Sequence, residues 1–153
     1  MLFVFFFFGS LMLVYGCYRL TDYSLRKIIN GCPNLVSLDI SECFQITSGS
    51  FKGDEGNHSA LNQLEEICVS GCKKFDDDCL SFLSMQCAEL SAIKMEGCEE
   101  VSDEAFSSFL LCTPKLEYID IGECKAIGNI TINVDLYYMI IIFIHLIIFF
   151  IIL

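Results

Sequence analysis

Cysteine is the residue type with the most chemical potential in this chain. It occurs ten times in 153 residues, whereas histidine, a common general base, occurs twice. The closest cysteine trio, Cys68, Cys72 and Cys79, has gaps of three and six residues, which match no common zinc pattern. His58 and His145 lie in no recognisable nucleophile–base pattern, and no phosphate-binding glycine loop is present. The sequence therefore predicts no enzyme, no metal site and no cofactor.

Five cysteines instead mark a repeat. They recur at steps of 26, 29, 26 and 26 residues, and we call them the anchor cysteines: Cys17, Cys43, Cys72, Cys98 and Cys124. Apolar residues stand three and five positions before every anchor and three positions after it. Recurrence of this kind predicts stacked units, because one unit alone cannot bury its apolar face. The positions five before the anchors are Met12, Leu38, Ile67, Ile93 and Ile119.

Each unit contains the signals of a strand followed by a helix. The alternation before each anchor is typical of a half-buried strand. A polar pair then supplies side-chain oxygens that can cap a helix, and apolar residues follow at helical spacing. A second cysteine is expected to close the helix at Cys32, Cys87 and Cys112, and proline follows soon after in two units. The capping pairs are Thr21-Asp22, Asp76-Asp77 and Ser102-Asp103.

The second unit departs from this pattern. It is three residues longer than its neighbours, and a glycine-containing stretch without apolar period follows Phe51. We expect a loop or a poorly formed helix there. In the third unit, the run Asp76-Asp77-Asp78 lacks the glycine and terminal glutamate of a calcium loop, so it is interpreted as helix capping.

The repeat resembles the cysteine-containing leucine-rich repeat over residues 11–130. The segments CPNLVSLDISECFQIT and CAELSAIKMEGCEEVSDEAF match it position by position. The resemblance implies an α/β leucine-rich-repeat solenoid, a short horseshoe of about five strand–helix units with a parallel sheet on its concave face. The family includes the leucine-rich F-box proteins and the antagonist of mitotic exit network protein.

The same resemblance implies a function. In the F-box members the repeats hold substrates for an SCF-type, cullin-based ubiquitin ligase, so the expected role is a protein-interaction scaffold in ubiquitin-dependent degradation, with ligase subunits as partners. An F-box needs a longer helical segment than the ten residues that precede these repeats. The sequence alone therefore predicts a partial adaptor, a fragment or a scaffold with another task.

Most cysteines are interpreted as small buried hydrophobic residues between the strand and helix layers. Unpaired buried thiols fit a reducing compartment, which predicts a cytoplasmic or nuclear protein. Cys68 and Cys79 lie outside the repeat positions. We expect Cys68 on the concave side and Cys79 on the convex side, both exposed and reactive.

An acidic concave face is the predicted binding site. The outward positions lie seven, six, four, two and one residues before each anchor, and acids dominate them. Such a face would attract a basic segment of a partner protein, although solvated acids in an acidic chain are the plainer interpretation. Because the net charge of the chain is −11, nucleic acid is not an expected partner. The predicted binding residues are Asp39, Glu42, Glu65, Glu66, Lys94, Glu96, Glu117, Tyr118, Asp120 and Glu123.

The two ends of the chain indicate an alternative function. Residues 1–10 form an apolar segment that resembles a signal peptide but lacks a preceding Lys or Arg. Residues 131–153 form an apolar tail in which Leu136 to Leu153 are just long enough to span a bilayer. The alternative function is thus a membrane-anchored leucine-rich-repeat receptor or surface protein. Translated non-coding sequence flanking the repeats is a third interpretation of both ends.

Overall fold

The structure is a computed structural model that describes residues 4–8, 10–52 and 61–127. Six strands form one sheet in chain order, and β2 to β6 run parallel. The first strand pairs antiparallel with the second and so adds a hairpin at the start of the repeats. The strands are β1 (Val4–Phe8), β2 (Leu11–Tyr15), β3 (Ser37–Asp39), β4 (Glu66–Cys68), β5 (Ala92–Lys94) and β6 (Tyr118–Asp120).

Equivalent positions of the repeat align across the sheet. The register pairs Met12 with Leu38, and the same position continues strand by strand to Ile119. Because side chains alternate across a strand, one row of apolar residues points towards the helices while its neighbours point away. The predicted strand positions and parallel sheet are confirmed.

Three α-helices cover one face of this sheet: α1 (Asp22–Gly31), α2 (Asp77–Gln86) and α3 (Asp103–Cys112). Their N-caps are Thr21, Asp76 and Ser102, the first members of the predicted polar pairs. In each case the side-chain oxygen accepts a hydrogen bond from the backbone N–H three residues on. This satisfies a donor that the first helical turn leaves unpaired.

The second unit has a short 3₁₀ helix, Ser48–Ser50, capped by Thr47. This short helix precedes Phe51, whereas the loop or poorly formed helix was expected after that residue. The stretch 53–60, which includes His58, lies outside the described residues.

The core lies between the sheet and the helices. All five anchor cysteines are buried, together with most of the apolar positions around them. Burial weakens at the last described strand, where Ile119 and Ile121 are only partly buried, whereas Ile93 and Met95 in the preceding unit are fully buried. Neighbouring units therefore bury one another, as in a solenoid.

Two predictions about the other cysteines are wrong. Cys79 is not exposed but fully buried, because the third residue of α2 faces the sheet beside Leu80. Cys112 is exposed, because the helix-closing position of the fourth unit belongs to Thr113, which is 26 residues after Cys87. Thr113 is buried and caps α3, while Cys32 in the first unit is half-buried. All ten cysteines are free thiols.

Most residues of the two terminal segments lie outside the described ranges. The predicted membrane span, Leu136 to Leu153, and His145 lie outside the described residues. Within the described ranges, no helix has the length and apolar character needed to cross a membrane.

Candidate functional site

The candidate site begins with the sheet face that the helices leave uncovered. We call it the open sheet face, formed by the residues six, four and two positions before each anchor. The register places the residues of each row on neighbouring strands. Five predicted binding residues lie in the first two rows: Asp39, Glu66, Lys94, Tyr118 and Asp120.

Lys94 is the centre of one polar cluster on this face. Its Nζ lies 2.6 Å from Glu66 Oε1 and 5.7 Å from the centroid of the Tyr118 ring. The hydrogen bond with Glu66 raises the pKa of Lys94. Ser37 Oγ donates to the other Glu66 oxygen at 3.5 Å. Lys94 therefore neutralises Glu66, and the remaining negative charge of the two strand rows is carried by Asp39 and Asp120.

Asp39 is held in place by hydrogen bonds from Ser41, which is not among the predicted binding residues. Its Oδ1 accepts hydrogen bonds from the backbone N–H of Ser41 at 2.9 Å and from Ser41 Oγ at 2.5 Å. Ser41 Oγ also lies 2.9 Å from the sulfur of the half-buried Cys68. Gly122 N–H donates to Asp120 Oδ1 in the same way, at 3.2 Å. The sequence contains a signal for these contacts, because an aspartate two residues before a small residue is typical of a local turn.

A cleft of about 420 Å³ lies at the carboxyl ends of the strands, and we call it the strand-end cleft. Two of its predicted binding residues have left-handed backbone conformations, with φ of 60° at Glu42 and 57° at Glu123. Other units place glycine at this position, which adopts such angles without steric cost. The lining includes Glu42, Glu96, Glu99 and Glu123, with Phe44 and Lys73.

The acids of the strand-end cleft are unequally balanced. Glu99 lies 3.1 Å from Lys73 Nζ and 3.3 Å from Lys125 Nζ, and the hydrogen bond with Lys73, then that with Lys125, lowers the pKa of Glu99. Glu42, Glu96 and Glu123 form no salt bridge with any lysine or arginine in the described part of the chain. These three carboxylates thus leave the cleft negatively charged.

Glu65 and Glu117 form a third group. Both are exposed and directly precede β4 and β6, at the ends of the strands opposite the strand-end cleft. The ten predicted binding residues are therefore divided among the open sheet face, the strand-end cleft and this opposite edge.

The anchor cysteines form hydrogen bonds between successive units. From the second unit onward, each thiol donates to the carbonyl oxygen three positions before the preceding anchor, at distances of 3.0 to 3.3 Å. Burial raises the pKa of Cys43 to about 11 and that of Cys72 to about 12. Both thiols therefore stay protonated at neutral pH, in the form that can donate.

No group of ligating side chains in the described ranges is arranged to hold a metal ion. Asp76 acts as a helix cap, in agreement with the interpretation of its acidic run.

Among known proteins, similarity is found with solved structures. No protein-family model matches the sequence, and no curated protein matches it. A chain in the crystal structure of the Rad7 and Elc1 complex in yeast is similar, with a TM-score of 0.57 and 28% identity. The similarity covers 72% of this chain and 28% of that chain, so this protein spans less than a third of its length. The fold is an α/β leucine-rich-repeat solenoid.

Proposed function

We propose that this chain is a protein-interaction scaffold that recognises substrates for SCF-type, ubiquitin-dependent degradation in the cytoplasm or nucleus. The fold supports a scaffold, since its five aligned parallel strands present a sheet face that the described helices leave open. The similar solved chain belongs to a complex of Rad7 and Elc1, which favours protein partners. The resemblance to leucine-rich F-box proteins supplies the link to ubiquitin ligase subunits. Ten free thiols fit a reducing compartment.

The observation that carries the binding proposal is the unbalanced charge of the strand-end cleft. Three carboxylates, Glu42, Glu96 and Glu123, line it without forming a salt bridge in the described residues, and the one lysine in its lining, Lys73, is paired with Glu99. A cleft with charge of one sign attracts the opposite charge and speeds encounter. A basic segment of the substrate is therefore the proposed ligand, and Asp39 and Asp120 extend the negative charge onto the open sheet face.

Affinity purification of the full-length chain, followed by mass spectrometry, tests both parts of this proposal. We expect ubiquitin ligase subunits together with a protein that has a lysine- or arginine-rich segment. The double variant Glu96→Lys, Glu123→Lys should lose that protein and keep the ligase subunits. The matched control is Asp78→Lys, Glu104→Lys, which makes the same charge change in the first turns of α2 and α3 and should lose neither.

Recovery of no ligase subunits would overturn the degradation role. Equal loss of the basic protein in both double variants would show that overall charge, rather than the strand-end cleft, attracts it.

A further inference from the structure

We propose that the bound segment has two parts, an aromatic or aliphatic side chain and, within about four residues of it, two or more lysines or arginines. This deepens the proposed function and rests on it. The basic residues occupy the strand-end cleft. The apolar side chain docks on what we call the aromatic patch, formed by Tyr15, Tyr18 and Phe44 near the carboxyl ends of the first two parallel strands.

The aromatic patch appears when the same repeat positions are followed from the first unit to the last. One residue after the anchors, the first two units carry Tyr18 and Phe44, whose rings stack at a centroid distance of 5.3 Å. The next three units carry Lys73, Glu99 and Lys125, which are joined by salt bridges. One position of the repeat thus changes from aromatic stacking to ion pairing between the second and third units.

The outward positions of the strands also change, from apolar residues in the first unit to mainly polar residues in the later units. On β2 the outward residues are Leu11, Leu13 and Tyr15, and 37% of Leu11 and 57% of Tyr15 are exposed. In the later units the corresponding rows hold mainly polar or charged residues. Exposed aromatic residues grouped on one surface are typical of protein interfaces, where they act as binding anchors.

Phe44 joins the aromatic patch to the strand-end cleft, because it stacks on Tyr18 and also lines the cleft beside Glu42. From Phe44 in the second unit to Glu123 in the fifth there are three strand steps, about 14 Å. Four residues of an extended peptide cover that distance. One short segment can therefore contact both surfaces at once.

Charge favours a basic peptide segment as the ligand over a second copy of the chain or a membrane. A second copy of the chain, with a net charge of −11, would bring its own acids against Glu42 and Glu96. An anionic membrane would meet the same repulsion. A segment with adjacent apolar and basic residues satisfies both surfaces.

Selection from a displayed library of short random peptides tests the proposal on the full-length chain. We expect peptides in which an aromatic or large aliphatic residue lies within four positions of two or more lysines or arginines. Selection on Tyr15→Ser and on Phe44→Ser should keep the basic residues and lose the apolar one. A peptide selected on the unchanged protein should bind these variants about tenfold more weakly or worse.

Tyr23→Ser is the matched control. Tyr23 is 64% exposed but lies on α1, away from the sheet face, and its loss should leave both selection and affinity unchanged. Circular dichroism checks that each variant is folded, and Tyr15→Ser tests the patch independently if Phe44→Ser unfolds.

The possible failures are distinct. Enrichment of basic residues without an apolar neighbour would overturn the two-part segment and leave the proposed function standing. Absence of basic residues would overturn both. Sedimentation that shows a dimer dissociating in Tyr15→Ser would assign the aromatic patch to a second copy instead.

Discussion

At the scale of single residues, the anchor cysteines stabilise the solenoid by burial and by a weak hydrogen bond to the preceding unit. Each anchor is a small side chain at the contact between two units, and every one of them is buried. The spacing predicted the burial. It did not predict the thiol–carbonyl bonds, since these depend on which carbonyl of the neighbouring strand is left facing the sulfur.

Truncation of a buried anchor should therefore cost more stability than truncation of an exposed cysteine. Cys72→Ala removes a fully buried side chain and its bond to the Ile40 carbonyl oxygen at 3.1 Å. We expect a loss of about 1–3 kcal/mol in the free energy of unfolding, measured by urea denaturation. Cys112→Ala is the control and should change it by less than about 0.5 kcal/mol. Equal losses would contradict the assigned role of the anchors.

The buried thiols also predict an alkaline limit to stability. An unfolded thiol ionises near its ordinary pKa of 9.0, while burial raises the pKa of Cys43 to about 11 in the folded chain. Above pH 9 the unfolded state binds fewer protons than the folded state, so stability falls as pH rises towards 11. Below pH 9 the contribution of this thiol is retained.

Urea midpoints measured across this pH range should fall less steeply in the double variant Cys43→Ala, Cys72→Ala than in the unchanged protein. The pKa of Cys72 is likewise raised by burial, to about 12. An identical decline in both proteins would mean that other groups, and not these thiols, set the limit.

At the scale of elements, carboxylates join successive units on the helix side. Asp77 in the first turn of α2 accepts hydrogen bonds from Ser102 N–H at 2.7 Å and from Ser102 Oγ at 2.8 Å. Asp22 in α1 accepts in the same way from Thr47. Burial alone would raise the pKa of Asp22, but hydrogen bonds from Ser50 and Thr47 and the charge of Arg26 outweigh it and lower the pKa. Each carboxylate thus fixes the cap of the next unit.

Loss of such a carboxylate should loosen the following helix. Asp77→Ala should lower the free energy of unfolding by about 1–2 kcal/mol and speed amide exchange in the first turn of α3. Asp78→Ala, an exposed neighbour in the same turn of α2, should cost about 0.5 kcal/mol through the helix dipole alone. If the two variants behave alike, the contact with Ser102 contributes little.

The helix N-termini were predictable because capping is local chemistry, readable from Thr21, Asp76 and Ser102. The burial of Cys79 and the exposure of Cys112 were not predictable in this way, because a shift of one residue turns a helical side chain by about 100° and can reverse which face it occupies. For the same reason, Thr113 rather than Cys112 closes α3.

At the scale of the whole molecule, stability should decrease towards the last described unit. Each unit in a solenoid is stabilised by its neighbours, and the fifth lacks a described neighbour on one side. Ile93 and Ile119 occupy the same repeat position, but Ile93 is fully buried and Ile119 only partly.

Substitution of these two isoleucines compares the middle of the stack with its end. Ile93→Ala should lower the free energy of unfolding by about 2–5 kcal/mol. Ile119→Ala should cost clearly less, because fewer neighbours surround the deleted atoms. Urea denaturation gives both values, and a larger loss for Ile119→Ala would mean that a segment outside the described residues covers β6.

The sequence by itself determined the repeat, the strand–helix order and the inward positions, because these follow from periodic burial and local capping, which are written into neighbouring residues. Only the tertiary structure decided how the predicted binding residues group. Lys94 pairs with Glu66 across 28 residues of sequence, and Glu42 meets Glu96 and Glu123 at one cleft. The physical reason is that side chains on successive units become neighbours only when the strands align in register.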